Sequence, residues 1–226
     1  GRNLEDYHQQ VAEAAECYIE ADRLQIDDLI YRGRVNSCMG YICAQNNSDS
    51  LALIFYERAS EDFKESGNEW RCAQMLLTIA YHHINLHQFL IADSLLQIAK
   101  SHQLDSSYQA RYYETCGLYH YEQQQYSSAL VYFNRGLNYW QSKKDRCFSY
   151  MKVMQVSLNI KDLVQAKSYA QHIIKNSNNP NYLVNAYYCL MQDAKRKNNA
   201  ELLSQYSHAR TDAQKLLSSN AKRSAK

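Results

Sequence analysis

The residues best placed to do chemistry are three histidines close together in the chain. His83 and His87 stand at the i, i+4 spacing that lets two imidazoles on one helical face share a metal ion, and His82 adjoins them. His87, however, falls in a polar hinge between two apolar runs, so the pair does not share one regular helix and no metal site is expected. The acid pairs Asp27-Asp28 and Glu61-Asp62 offer the paired carboxylates of general acid–base work. Both stand at helix starts or on solvated faces, where capping and the helix dipole account for them. No glycine-rich phosphate loop, HExxH or GxSxG motif occurs. The expectation is a protein without catalytic residues, metal or cofactor.

Charge and cysteine usage narrow the classes further. The 226 residues carry 25 basic and 23 acidic side chains, a net charge of +2, which exerts little pull toward nucleic acid or a membrane surface. Lys195-Arg196-Lys197 is a short basic cluster that reads as a solvated helix end. No apolar run is long enough to cross a bilayer. Seven cysteines form no CxxC pair, and their odd number rules out a closed disulfide framework. A reducing compartment is expected, the cytoplasm first among them. The chain opens with Gly1 rather than methionine, which reads as a processed or excised piece.

The elements that must position any site are helices. One proline and six glycines leave no room for the turn chemistry of an all-β fold, and 46% apolar residues suffice for a large core. Around the hinge 122–125, Tyr113, Cys116, Gly117 and His120 share one helical face, as do Tyr126, Ala129, Leu130, Phe133, Gly136 and Leu137. Small residues at 117, 129 and 136 allow two backbones to approach closely, so the stretch 110–143 predicts a helical hairpin. The polar breaks 46–49, 66–68 and 176–180 bound further helices. Asp27 or Asp28 can cap the helix that follows it, and Gly67 suits a left-handed C-cap. Pro180, the one proline, either opens a helix in its first turn or marks a change of stacking angle.

The hairpin is one of a series. Gly117, Ala129, Phe133 and Gly136 have the same internal spacing as Gly40, Ala52, Tyr56 and Ala59, and as Ala80, Ala92, Leu96 and Ala99. Weaker copies follow at Met154, Ala166, Ala170 and Ile173, then at Leu190, Leu202, Tyr206 and Ala209. This pattern resembles the tetratricopeptide repeat (TPR), with steps longer than the usual 34 residues. The resemblance implies an all-α, right-handed superhelical solenoid of antiparallel helix pairs. A single domain over 1–220 would hold an N-terminal helix (3–22) and five repeats, at about 26–67, 69–104, 107–143, 145–177 and 181–218. Residues 221–226 would form a disordered basic tail. The helix at 3–22 either covers the exposed face of the first repeat or is the surviving half of a repeat cut upstream.

In this family the first helix of each pair lines the concave side, where ligands bind. Transferred residue by residue, the resemblance places Arg34, Ser37, Tyr41 and Gln45 there, then Gln74, Leu77, Thr78, Tyr81 and Asn85. The third pair adds Arg111, Glu114, Leu118, Tyr121 and Glu122, and the fourth adds Lys152, Gln155 and Asn159. Amide side chains can pair with peptide backbone, arginines can grip carboxylates, and tyrosines can hold apolar side chains. Ser37 and Tyr41 stand where some family members carry a carboxylate-clamping lysine and asparagine, so a clamp for a chaperone tail is not expected. His83 falls where the repeat packs an aromatic ring. Most of the 20 tyrosines read as ridge residues between helices, with their hydroxyls at the solvent edge.

The expected function is recognition of a protein or peptide segment along the inner face, without nucleic acid or membrane. Two alternatives stand beside it: a ligand-sensing regulatory domain of a larger protein, and a self-association scaffold pairing as a homo-oligomer.

Overall fold

In the computed structural model the described residues are 16, 20, 28–46, 48–102, 105–142 and 145–224, the last five of these in backbone alone. The N-terminal helix expected over 3–22 lies outside them, apart from Glu16 and Glu20, which are both helical. Ten helices follow in chain order, and there is no strand among the described residues. They are α1 (Leu29–Gln45), α2 (Asp49–Glu65), α3 (Glu69–Asn85), α4 (Phe89–Lys100), α5 (Ser106–Glu122), α6 (Tyr126–Tyr139), α7 (Arg146–Asn159), α8 (Leu163–Asn176), α9 (Pro180–Arg196) and α10 (Ala200–Ser224). The last helix runs through Ser224, into the segment expected to be a disordered tail. Its backbone continues the i→i−4 ladder across residues whose composition alone had argued for fraying.

Short polar side chains start these helices by accepting orphan N–H groups. Asp28 accepts from the N–H groups of Ile30 and Tyr31, Asn68 from Arg71, Asp162 from Gln165 and Asn199 from Leu202. Asn179 accepts from Asn181, and Pro180 occupies the first turn, where its missing N–H costs nothing.

The turns inside the last four hairpins share one backbone device. His87, Gln124, Lys161 and Asn198 have φ of 57°, 61°, 62° and 50°, so a left-handed residue recurs every 37 positions. After each, the next N–H bonds back into the helix it leaves: Gln88 to His83 at 2.8 Å, Gln125 to His120 at 2.9 Å, Asp162 to Ser157 at 2.8 Å and Asn199 to Ala194 at 3.0 Å. This is the Schellman termination, here without glycine.

The chain divides into two compact units, one ending at Tyr108 and the other beginning at Gln109. In the first, α2 packs on α1 and α3, and α4 packs on α3. In the second, α7 packs on α6, α8 and α9, and α9 packs on α8 and α10.

Inside the first four hairpins, volumes trade off between positions sixteen apart. A Cβ on Gly40 would lie 2.7 Å from the Tyr56 ring, and one on Gly117 would lie 2.6 Å from the ring of Phe133. Where the glycine gives way to Ala80, the ring is replaced by Leu96; where it becomes Met154, its counterpart shrinks to Ala170, and all four are buried. Ala52, Ala92, Ala129 and Ala166, at the closest approach, are wholly buried. Small–large contacts thus recur in the cores of both units.

Candidate partner-binding face

In the second unit the first helices of three hairpins stand side by side. Tyr121 on α5 meets α7 twice: the Asn159 Nδ2 donates to its hydroxyl at 3.4 Å, and the Lys152 ammonium lies 5.5 Å from its ring centroid. α7 in turn packs on α9. Between them opens a cleft of about 760 Å³, within the range of small-ligand sites. Tyr121 of α5 lines it with Gln155, Leu158 and Asn159 of α7 and Leu163 at the start of α8. Tyr188, Gln192, Lys195 and Arg196 of α9 complete the wall.

The electrostatics of this cleft are one-sided. No carboxylate lines it. Burial pushes the Lys152 ammonium below the usual lysine range, with the Glu122 charge pulling the other way. Lys195 and Arg196 are exposed in the last turn of α9 and form no ion pair among the described residues. The nearby acid, Asp193, is already engaged by Lys167 at 3.1 Å and Lys197 at 3.0 Å. Burial opposes its ionisation, but hydrogen bonds from those two lysines outweigh it and hold the carboxyl below its usual range. Behind Tyr188, the Arg210 guanidinium lies 5.2 Å from the ring centroid, and its Nε is buried without a partner.

The structure brings Tyr121, Gln155 and Asn159 together at the cleft, with Lys152 and Glu122 beside them. In the same unit Arg111 is exposed. Two neighbouring residues do not belong to any binding surface. Leu118 is 2% exposed and is core. Glu114 is 8% exposed, with Oε1 accepting from the Trp140 indole at 2.7 Å and from the Ser149 hydroxyl. Burial pushes its carboxyl up, against the pull of those two bonds and of Arg111. Its side chain ties α5 to α7 and to the end of α6, so it is a strut and not a ligand-facing acid.

In the first unit, Arg34, Tyr41, Gln45, Tyr81 and Asn85 are exposed, and Ser37, Gln74 and Thr78 are half-buried. The Thr78 hydroxyl donates to the Gln74 carbonyl at 3.0 Å. Leu77, 4% exposed, is core and also leaves the candidate set. A second cleft of about 460 Å³ lies among α2, α3 and α4, and includes Cys72, Ile98 and His102.

The histidines are engaged individually. His83 Nδ1 is 2.5 Å from Gln88 Oε1, His82 Nδ1 is 3.1 Å from Asp49 Oδ1, and the ring of the turn residue His87 lies 5.7 Å from that of Phe89. Among the described residues no group of three His, Cys, Asp or Glu is placed to hold a metal. Six described cysteines are thiols outside any disulfide, and burial pushes those of Cys43, Cys147 and Cys189 up, the last to about 12, as fits small hydrophobes.

Tyr188, Gln192, Lys195 and Arg196 were not legible as site residues, because the last copy alone replaces the alanine that marks register, with Leu202, and Lys195 and Arg196 read as a solvated helix end. A signal was present all the same. Stepping on from Asn159 by the distance from Ala166 to Leu202 lands on Lys195.

No protein-family model matches the chain, and no curated protein matches it by sequence. Solved structures do. Cut9, in the APC/C Cut9–Hcn1 hetero-tetramer structure, superposes with a TM-score of 0.72 at 15% identity over 96% of this chain, which spans 40% of that chain's length. BtubC from P. vanneervenii gives 0.70 at 15% identity, covering 96% of this chain and 93% of the other. YrrB, a TPR protein described as having an unusual peptide-binding site, gives 0.53 at 16% identity, covering 92% and 99%. With antiparallel hairpins in series, a recurring left-handed turn and these neighbours, the chain has the all-α solenoid fold of tetratricopeptide-repeat proteins.

Proposed function

We propose that this protein is a non-catalytic recognition module that holds an extended protein or peptide segment against the row of first helices. The observation that carries this reading is the open cleft among α5, α7 and α9. Amide side chains suited to peptide backbone alternate there with two tyrosines, on helices fixed by their own core. Side chains already held by packing lose little freedom on binding, which is how such a face gains affinity. YrrB, with its peptide-binding site on a similar fold, supports the reading.

Replacing Tyr121 and Gln155 together by alanine tests it. Peptides selected by display against the full chain should bind the double variant at least tenfold more weakly, with helicity and melting temperature nearly unchanged. Unchanged affinity would place recognition elsewhere.

A further inference from the structure

We infer that the cleft among α5, α7 and α9 takes an acidic segment of a partner protein: two or more carboxylates beside an aromatic or aliphatic side chain. This rests on reading that face as the partner-binding surface.

The argument is one of charge placement. The chain as a whole is almost balanced, 25 basic side chains against 23 acidic, yet the cleft lining holds two cations and no carboxylate. Lys195 and Arg196 stand at the rim without an ion pair among the described residues, while Asp193, a turn or less away, is engaged by Lys167 and Lys197. Asp193 therefore does not neutralise the rim, and the other nearby acid, Glu122, lies outside the lining, where its charge acts on Lys152. Two more cations back the aromatic wall, Lys152 against Tyr121 and Arg210 against Tyr188. A guanidinium and an ammonium at one helix end suit two carboxylates on alternate residues of an extended segment, with Arg196 able to grip one in bidentate fashion. The ring faces and Leu158 leave an apolar patch for one neighbouring side chain. The amides of Gln155 and Gln192 match the donors and acceptors of peptide backbone. That amide-rich lining and the near-neutral chain favour a carboxylate peptide over nucleic acid, which calls for an extended basic stripe.

The test is selection of a randomised eight-residue display library on the full chain, followed by anisotropy titration of the fluorescein-labelled consensus. Expected are peptides rich in Asp and Glu next to an aromatic or Leu, with affinity falling as salt rises. Binding should drop at least tenfold in Lys195→Glu/Arg196→Glu and stay unchanged in Leu90→Glu on α4. Both charge-reversed side chains are exposed, so the variant should stay folded and melt only slightly below the parent, two acids in the last turn of α9 opposing the helix dipole. Neutral or basic consensus peptides that respond to Tyr121→Ala/Gln155→Ala but not to charge reversal would overturn the acidic inference and leave the face intact. Peptides insensitive to both variants would sink the face reading itself. A library yielding no binder, or displacement of the probe at matched concentration by an oligothymidylate or by inorganic phosphate, would also overturn the inference.

Discussion

Glu114 shows how one buried carboxyl can be mistaken for a binding group. Its position in the repeat is one that usually faces a ligand, but Trp140 and Ser149 bring two donors to it from later elements, and spacing along one helix does not reveal them. A carboxyl whose folded pKa is raised contributes stability that is complete below its unfolded value and is lost as pH rises through the folded value. Glu114→Gln keeps an acceptor for both donors and removes the titration. The variant should therefore melt above the parent at pH 7, with the gap closing once pH falls below the ordinary carboxylate range of about 4.3. Glu114→Ala should instead lose about 1–3 kcal/mol for each stranded donor. Gly117 makes the converse case, since its contact was readable from small and aromatic residues sixteen apart. Its Cβ would press on Phe133, so Gly117→Ala should cost about 1–3 kcal/mol by overpacking. Adding Phe133→Leu, which copies the natural Ala80 and Leu96 pairing, should recover much of the loss in a urea melt.

At the scale of elements, helix starts were legible where a short polar side chain caps them, as at Asp28 and at Asn179 with Pro180. The hairpin turns were legible as polar hinges, but their conformation was not, because two of the four left-handed residues are Gln and Lys, which carry no such preference. A β-carbon in that region costs about 1–2 kcal/mol. Gln124→Gly and Lys161→Gly should each stabilise the chain by about 1 kcal/mol and raise the melting temperature by about 2–4 °C. If calorimetry shows no gain, the turns are held by their 6→1 bonds strongly enough to make the residue type immaterial.

At the scale of the whole molecule, the fold was legible because the first four hairpins repeat the same small–large contact and the fifth keeps its spacing, and five weak signals in register outweigh any one. The cleft was half legible: its α5 and α7 walls follow from the first four repeats, while its α9 wall sits in the repeat that has drifted furthest. An array of hairpins that each touch only neighbours predicts local energetics. Ile173→Ala, at a wholly buried position of α8, should cost about 2–5 kcal/mol. Amide exchange should quicken in α7, α8 and α9 while α1 and α2 keep their protection. Uniform loss of protection would mean the chain melts as one body.

The left-handed residues at 87, 124, 161 and 198 also act as regularly placed seams. Because the last four hairpins close on the same backbone geometry, a stretch copied from Gln125 to Lys161 and spliced in after Lys161 meets matching ends on both sides. Such a chain should grow by one hairpin with its downstream register intact. A copy even one residue longer would rotate the following helix by about 100°, a consequence of 3.6 residues per turn, and turn its apolar stripe toward water.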